Sequence, residues 1–481
     1  MNWRIKPLDL ILATAEKRSL KRQLGAWDLT MLGIGAVIGT GIFVLTAVAA
    51  NKAGPGMMWS FVIAAAVCLL TALIYAEIAS MVPVSGSAYT YSYAVLGEMV
   101  AWVVGWALIL EYAVAAGAVA VGWSGYINGF LQSVGWGLPI GLTAGPADTV
   151  TLADGTQVAG AFNLLAFLIS LLLAVLLTIG TSHSAKVTAV LVIVKMLALT
   201  AFIAIAMPAV KHANFEPMLP NGWGTPLSGM GVVGAAASIF FAYVGFDAVS
   251  TAAEETKDPQ RNIPRGLIGS LVVCTAFYLL VAYAATGAVG AQPGGALASS
   301  KEPLAFVLRE LGWPNMGNWV AAAAIIALPS VVLMMMYGQT RILFTMSRDG
   351  LLPEQLSRVH PRFQTPHVVT AVTGVAVALF AGMFPVGMLA DISNSGTLFA
   401  FFVVALGVMV LRVRLPDRPR QFRTPLIWVV GPLAMIGCVV LFFSLGAYTV
   451  KLFVIWALIG LVMYAVYGRR RSNLAEGSAQ E

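Results

Sequence analysis

The sequence predicts an all-α integral membrane protein with twelve transmembrane helices, of which the first and the sixth are discontinuous. Of the 481 residues, 59% are hydrophobic and only 10% are charged, and the mean hydropathy is +0.86. A soluble core cannot bury so large an apolar fraction, so this composition is typical of a helical membrane protein. No segment alternates apolar and polar residues over about ten positions, which excludes a membrane-spanning β-barrel.

Twelve apolar segments are long enough to cross a bilayer, which takes roughly 20 residues of helix. In chain order they are 29–50, 57–82, 97–131, 161–180, 186–208, 228–255, 264–290, 318–346, 366–384, 388–412, 425–446 and 450–467. Charged residues and proline in the intervening loops, as in KDPQRNIPRG (257–266), stop the helices at defined points.

The segments group into two units of five. Segments one to five form a first repeat (28–208), and segments six to ten form a second (226–414). Because five is an odd number of crossings, the second repeat enters from the opposite side of the membrane and is inverted. Helices eleven and twelve (425–468) lie outside the repeat, as scaffold or oligomer contact. An N-terminal arm (1–27) and a tail (469–481) complete the chain.

The basic residues explain the net charge of +7. If both termini are cytoplasmic, 22 of the 28 lysines and arginines fall on the cytoplasmic side, five fall outside, and Lys195 lies within a span. This asymmetry is the positive-inside pattern of membrane proteins. It gives no reason to expect a nucleic-acid partner.

The cysteines do not indicate a metal or redox site. Cys68, Cys274 and Cys438 all lie within apolar spans, without a CxxC pair or a neighbouring histidine. We interpret them as packing residues. No cofactor or metal is predicted.

Two spans contain a break. Residues 33–43 read GIGAVIGTGIF, with four glycines in eleven positions, and the sixth span contains the matching interruption YVGFD at 243–247. Glycine at this density interrupts a helix in a place where lipid tolerates no loose backbone. Glycines also allow helices simply to pack closely, which is the alternative for a single span. Two breaks at matching positions favour a substrate site of a transporter.

The helix ends exposed by these breaks suggest a zwitterionic ligand. The outer half of span one begins at 40–42 with unsatisfied amides and partial positive charge, which suit a carboxylate. The outer half of span six ends near 241–243, where free carbonyl groups could hold an ammonium. Together the two ends would frame both charges of an amino acid.

Lys195 lies about 13 Å into the membrane, counted from Lys186 at the helical rise. A charged lysine at that depth is costly on the order of 3 kcal/mol, and such residues usually face the interior of the helix bundle. A change of surroundings during transport could make it bind and release a proton. The alternative is a lysine that snorkels or ties helices together through backbone carbonyls.

Three of the acidic residues within the spans are candidates for a role in the interior or at a span end. Glu111 is the leading candidate for the interior, where it could contact a substrate amino group, pair with Lys195 or serve a structural network. Asp247 directly follows the second break, where capping a helix is the simpler explanation. Glu77 lies near a span end, where interfacial water is expected to solvate it.

Methionines 334–336 lie in span eight. Methionine adapts to varied ligands, and at least two of the three must pack elsewhere, because consecutive helical residues point in different directions. If one lines the pocket, its bulk favours small substrate side chains.

Four segments carry a family resemblance: RQLGAWDLTMLGIGAVIGTGIF, VPVSGSAYTYSYAVLGE, FFAYVGFDAVSTAAEE and MYGQTRILFTMSRDGLLP. They resemble the cationic amino acid transporter family of the amino acid-polyamine-organocation superfamily, over about residues 24–468. The resemblance implies the five-plus-five inverted repeat of the leucine-transporter type. The twelve spans are similar to the bacterial members rather than the fourteen-span animal ones, which implies a bacterial inner membrane with both termini cytoplasmic.

The resemblance also assigns roles. The segment 39–41 would meet the substrate carboxylate, with Ile42 alongside. The carbonyls of Phe241, Ala242 and Val244 would meet the amino group, and Phe241 would also act as a gate. Lys195 matches a lysine of the fifth span in proton-coupled relatives. In those relatives it occupies the place where sodium-coupled ones hold a sodium ion, which implies proton coupling. The residues expected to bind substrate are Val37, Ile38, Gly39, Thr40, Gly41, Ile42, Phe241, Ala242, Val244 and Met335.

These observations predict proton-coupled import of L-amino acids by alternating access, with small neutral substrates such as alanine. The expected partners are the amino acid, protons and membrane lipids. Transport or exchange of arginine and lysine is the alternative, and an amino acid sensor is an alternative of another class. An enzyme is not expected, because the histidines (His183, His212, His360 and His367) all lie away from the carboxylates of the interior.

Overall fold

The structure is a computed structural model, which describes residues 24–82, 87–151, 157–180, 185–247, 249, 256–363, 365–420 and 422–473. Most of the predicted N-terminal arm and of the tail, as well as the end of span six, lie outside these residues. The described residues are almost entirely helical, and one small antiparallel sheet pairs β1 (Thr149–Thr151) with β2 (Gln157–Ala159).

The helices follow the predicted spans closely. They are α1 (Ala26–Val37), α2 (Thr40–Phe43), α3 (Leu45–Ala53), α4 (Met57–Met81), α5 (Ser87–Val95), α6 (Glu98–Ser133), α7 (Leu164–Ile179), α8 (Ala185–Ala206), α9 (Gly231–Ile239), α10 (Pro259–Val289), α11 (Ala296–Ser299), α12 (Pro303–Glu310), α13 (Pro314–Arg348), α14 (His367–Met383), α15 (Val386–Arg414), α16 (Ile427–Ser444), α17 (Ala447–Met463) and α18 (Arg469–Arg471). A 3₁₀ turn, Phe240–Tyr243, continues α9.

The all-helical architecture is confirmed, and it is consistent with the predicted membrane fold. Eight helical stretches of the described chain are long and apolar enough to cross a membrane, and four shorter apolar helices accompany them. Over its described residues, each of the twelve predicted spans coincides with one helix or with consecutive helices. The number of crossings and the inverted relation of the two repeats remain predictions.

The helix α6 forms the centre of the molecule. In its most apolar stretch 89% of the residues are buried, whereas the stretch that contains α17 is only 17% buried. The long helices α13 and α15 both pack along α6. Helix α6 therefore lies in the interior of the described helices, and α17 lies at their periphery.

Two tryptophans fasten the peripheral α17 to α6. The indole N–H of Trp106 donates to the Trp456 carbonyl, and the indole N–H of Trp456 donates to the Trp106 carbonyl, each over 2.8 Å. Their rings stack with centroids 4.5 Å apart. Because an indole N–H needs a partner inside a membrane protein, this reciprocal pair fixes how the two helices face each other.

The expectation for Glu77 is wrong. Its side chain is fully buried, and Arg412 donates two hydrogen bonds to it, over 2.6 and 2.8 Å. Arg420 lies 3.3 Å away, and the Thr424 amide donates over 2.8 Å. The carboxylate thus joins α4 to the end of α15 and the loop that follows, and protein groups rather than interfacial water solvate it.

Candidate functional site

Span one is interrupted where the glycines predict. Helix α1 ends at Val37, Ile38 takes an extended conformation (φ −73°, ψ 97°), and Gly39 follows with φ −144° and ψ −143°. The helix resumes at Thr40, on the far side of this two-residue break. The prediction of a discontinuous first helix is therefore confirmed.

Span six is interrupted at the predicted place as well. The 3₁₀ turn ends at Tyr243, Val244 is extended (φ −61°, ψ 136°), and Gly245 adopts φ +112°. Residues with a Cβ atom rarely adopt this φ, so glycine is required at position 245.

The two breaks lie directly against each other. A Cβ atom added to Gly41 would fall 2.2 Å from the Ala242 Cα, and one added to Gly245 would fall 2.9 Å from the Ala36 carbonyl oxygen. Both glycines are therefore needed for the close approach of backbone to backbone. Sequence reasoning placed the breaks at similar depth, and the structure brings them into contact.

Unpaired hydrogen-bond donors gather at the start of the outer half of span one. The first backbone hydrogen bonds of α2 come from the amides of Phe43 and Val44. Among the described residues, the buried amides of Thr40, Gly41 and Ile42 have no acceptor, and the Thr40 hydroxyl has no partner either. Since an unpaired buried donor costs about 1–3 kcal/mol, this end of the helix favours an anionic ligand.

The backbone carbonyl groups at the two breaks, predicted from the sequence to be free, already accept hydrogen bonds from the protein. The Tyr278 hydroxyl lies 2.9 Å from both the Val37 and the Ala242 carbonyl oxygens, so it can donate to either side of the paired breaks. The Phe241 carbonyl accepts from the Val244 amide over 3.2 Å. A carbonyl oxygen retains a second lone pair for a ligand, and the proposed contact with an ammonium would use it.

Asn394, which sequence reasoning missed, supports the end of α9. Its side-chain amide donates to the carbonyls of Ala237 (2.7 Å) and Ser238 (3.0 Å). The signal was available, because 391–397 reads DISNSGT inside an otherwise apolar span. Tyr278, in contrast, is one aromatic residue in an apolar helix, and no local pattern distinguishes it from a packing residue.

Lys195 faces the interior, as predicted from its depth. It is buried on α8, and its ammonium donates a hydrogen bond of 2.9 Å to the Gly35 carbonyl. Gly35 lies in the last turn of α1, where the helix dipole concentrates negative charge. No carboxylate pairs with Lys195 in the part of the chain that the structure describes, so a pair with Glu111 is not formed.

Glu111 lies where α6 meets α15. The Ser393 hydroxyl donates to its backbone carbonyl over 3.1 Å, and its Cβ lies 3.0 Å from the position of a Cβ on Gly396. The buried Oε2 atom of its carboxyl group has no hydrogen-bond partner. Asp247 is also buried, two residues after Gly245.

Helix α13 supplies side chains beside the first break. The two methyl carbons of Val331 lie 3.4 Å from the position of a Cβ on Gly39. Met335, one turn later on the same face, is buried, as is the predicted gate Phe241. Val331 is therefore an additional candidate for substrate contact. The sequence alone does not distinguish it from the other apolar residues of its span.

A polar cluster lies where the end of α3 meets α9 and α15. The Lys52 ammonium at the end of α3 donates to Asp391 of α15 over 2.7 Å and to the Ser238 hydroxyl over 2.5 Å. The Ser238 hydroxyl in turn donates to Asp391. This cluster borders an open cleft of about 440 Å³. Lys52 is one of the five basic residues that the sequence assigns to the outside, and no role is predicted for Asp391.

The comparison with known proteins agrees with this architecture. Residues 24–466 match the family model described as amino acid permease. The chain is 48% identical over 470 residues to the branched-chain amino acid permease BcaP of Bacillus subtilis, covering 97% of each chain. It is 41% identical over 473 residues to the methylthioribose transporter of the same species (98% of this chain, 99% of the relative). It is 35% identical over 423 residues to the chloroplastic cationic amino acid transporter 9 of Arabidopsis thaliana (87% of this chain, 71% of the relative).

Two discontinuous membrane helices in contact, in a chain whose relatives are named permeases and transporters, define a multi-pass membrane transport protein and not an enzyme. The chain belongs to the amino acid permease family. The resemblance to cationic amino acid transporters is confirmed as a family relation.

Proposed function

We propose that the protein imports L-amino acids together with protons by alternating access, in a bacterial inner membrane with both termini cytoplasmic. The observation that carries this proposal is the group of unpaired donors at Thr40, Gly41 and Ile42, which lies beside the second break. A substrate carboxylate satisfies these donors. The facing end of span six offers carbonyl oxygens to the substrate ammonium.

Lys195 is the proposed proton site. Its protonated form is the stronger hydrogen-bond donor to Gly35 and interacts favourably with the negative end of α1. Loss of the proton weakens this tie, which frees the inner half of span one to move and to release substrate towards the cytoplasm. Proton binding and the position of the broken helix are then linked.

The proposed substrates are neutral aliphatic amino acids. Val331 lies against the first break, and the buried Met335 lies one turn later on the same face of α13. This apolar surface suits small side chains such as that of alanine. The relative at 48% identity is named for branched-chain amino acids, which extends the proposed range to valine, leucine and isoleucine.

Cationic amino acids are the second candidate. The unpartnered carboxyl oxygen of Glu111 could hold a positively charged side chain, and several relatives are named cationic amino acid transporters. To separate these substrate classes, uptake of labelled alanine is measured in the presence of unlabelled leucine, arginine or methylthioribose. The compound that inhibits the uptake identifies the class that binds.

Transport by purified protein in liposomes tests the proposal. A pH gradient, acidic outside, should drive accumulation of labelled alanine or leucine. Lys195→Ala and Lys195→Arg should both abolish the accumulation, because neither residue binds and releases a proton at this site. Lys195→Arg retains a cation and should retain more substrate exchange than Lys195→Ala.

Lys451→Ala is the control, because this lysine is exposed and lies on the peripheral helix α17. It should accumulate substrate like the wild type. Unchanged proton-driven accumulation in Lys195→Ala rules out the coupling role. Binding without any flux in the wild type identifies a sensor instead of a transporter.

A further inference from the structure

A groove of about 520 Å³ lies at the N-terminal end of α10, remote from the paired breaks. Arg261 and Arg265 line its polar end, and Ile268, Gly269 and Phe422 line its apolar part. Phe422 belongs to the loop after α15, so the groove is formed by two separate parts of the chain. Nothing in the transport proposal uses it.

The residues along α10 change from basic to apolar in one direction. Arg261, Arg265, Ile268 and Val272 are spaced by four, three and four residues, so they form one stripe on the helix. Both arginines are exposed, and Val272 is 56% exposed in the middle of an apolar helix that is long enough to span the membrane. The stripe therefore runs from the polar boundary of the membrane into its hydrocarbon region.

The charge at the polar end is unbalanced. Asp258 approaches Arg261 only at 3.9 Å, with both side chains largely exposed. Arg265 has no ion-pair partner among the described residues. Arg423, beside Phe422, is exposed as well and adds to the positive charge.

We propose that this groove binds one anionic phospholipid. The phosphate lies between Arg261 and Arg265, since guanidinium groups bind phosphate in a bidentate manner. One acyl chain follows Ile268 and Val272 and packs against Phe422. Charge complementarity selects the anionic headgroup, and the apolar wall distinguishes a lipid from a free phosphate, which needs no such wall. Basic pockets between membrane helices on the cytoplasmic side are suited to such headgroups.

Native mass spectrometry of the delipidated full-length protein tests the proposal. The added probes are dioleoyl phosphatidylglycerol, dioleoyl phosphatidylcholine and glycerol 3-phosphate. The wild type should retain one phosphatidylglycerol in preference to the other two probes. Arg261→Gln/Arg265→Gln should weaken phosphatidylglycerol binding by roughly fivefold for each arginine, the factor expected for a basic residue at an anionic membrane surface.

Arg358→Gln/Arg362→Gln is the matched control, because these exposed arginines have the same spacing in sequence and lie away from α10, in the segment between α13 and α14. It should bind phosphatidylglycerol like the wild type. Phe422→Ala keeps both charges and removes the apolar wall, so it should weaken lipid binding without affecting glycerol phosphate. This variant tests the groove even if the double glutamine variant does not fold.

Three outcomes overturn the proposal. The first is wild-type phosphatidylglycerol binding in both Arg261→Gln/Arg265→Gln and Phe422→Ala. The second is an equal loss in the Arg358→Gln/Arg362→Gln control, which indicates a general charge effect. The third is binding of glycerol 3-phosphate by the wild type as tightly as the lipid, which indicates a site for free phosphate.

Discussion

Replacing Gly41 by alanine tests whether contact between the two breaks is required for transport. The added Cβ would lie 2.2 Å from the Ala242 Cα, so the two segments must separate by about 1.2 Å to reach an ordinary contact of 3.4 Å. Overpacking of this kind costs about 1–3 kcal/mol. If that energy is lost from the substrate-bound state, affinity falls about 5- to 140-fold.

Substrate-induced thermal stabilisation and initial uptake rates in liposomes measure this loss. Gly407→Ala is the control, since its Cβ would meet Leu96 at an ordinary 3.7 Å, and it should behave like the wild type. Adding Ala242→Gly to Gly41→Ala should not restore function, because the nearest atom is backbone and stays in place. Wild-type affinity and uptake in Gly41→Ala would refute the reasoning.

Three further substitutions test the contacts around the site. Tyr278→Phe removes the hydroxyl between the paired breaks and should lower substrate affinity by about five- to tenfold, measured as KM for uptake. Tyr243→Phe loses a 3.3 Å bond to a carbonyl of α4 instead of contacts to both breaks and should have a smaller effect. Glu77→Gln leaves buried arginine charge uncompensated and should destabilise the protein by about 3–5 kcal/mol, seen as a lower Tm without ligand; an unchanged Tm contradicts this. Asp391→Asn should also lower the Tm, and adding Lys52→Met should recover part of the loss, because removing both partners leaves no unpaired charge; additive losses in the double variant would argue against a coupled pair.

The sequence predicts those features of the site that depend on local backbone preference. Glycines at 39, 41 and 245 indicate where the helices break, and the structure confirms both places. The depth of Lys195 along its span predicts burial, because a charge at that depth must face the protein. These inferences need only one helix at a time.

Contacts between distant helices were beyond such reasoning. Tyr278 joins the two breaks from α10, and Lys52 reaches Asp391 across 339 positions of sequence. Neither contact follows from spacing or composition, since it depends on how the helices pack. Glu77 shows the same limit: its position near a span end suggested water, while its partners lie more than 300 residues later.

The break at Ile38 and Gly39 divides one membrane helix between two sets of attachments. Its outer half is tied through Lys52 to α15 and α9, and its inner half through Lys195 to α8. No backbone hydrogen bond joins the two described halves across the break, so each half can tilt separately. In the proposed alternating-access cycle, this would let one face of the membrane open while the other remains sealed.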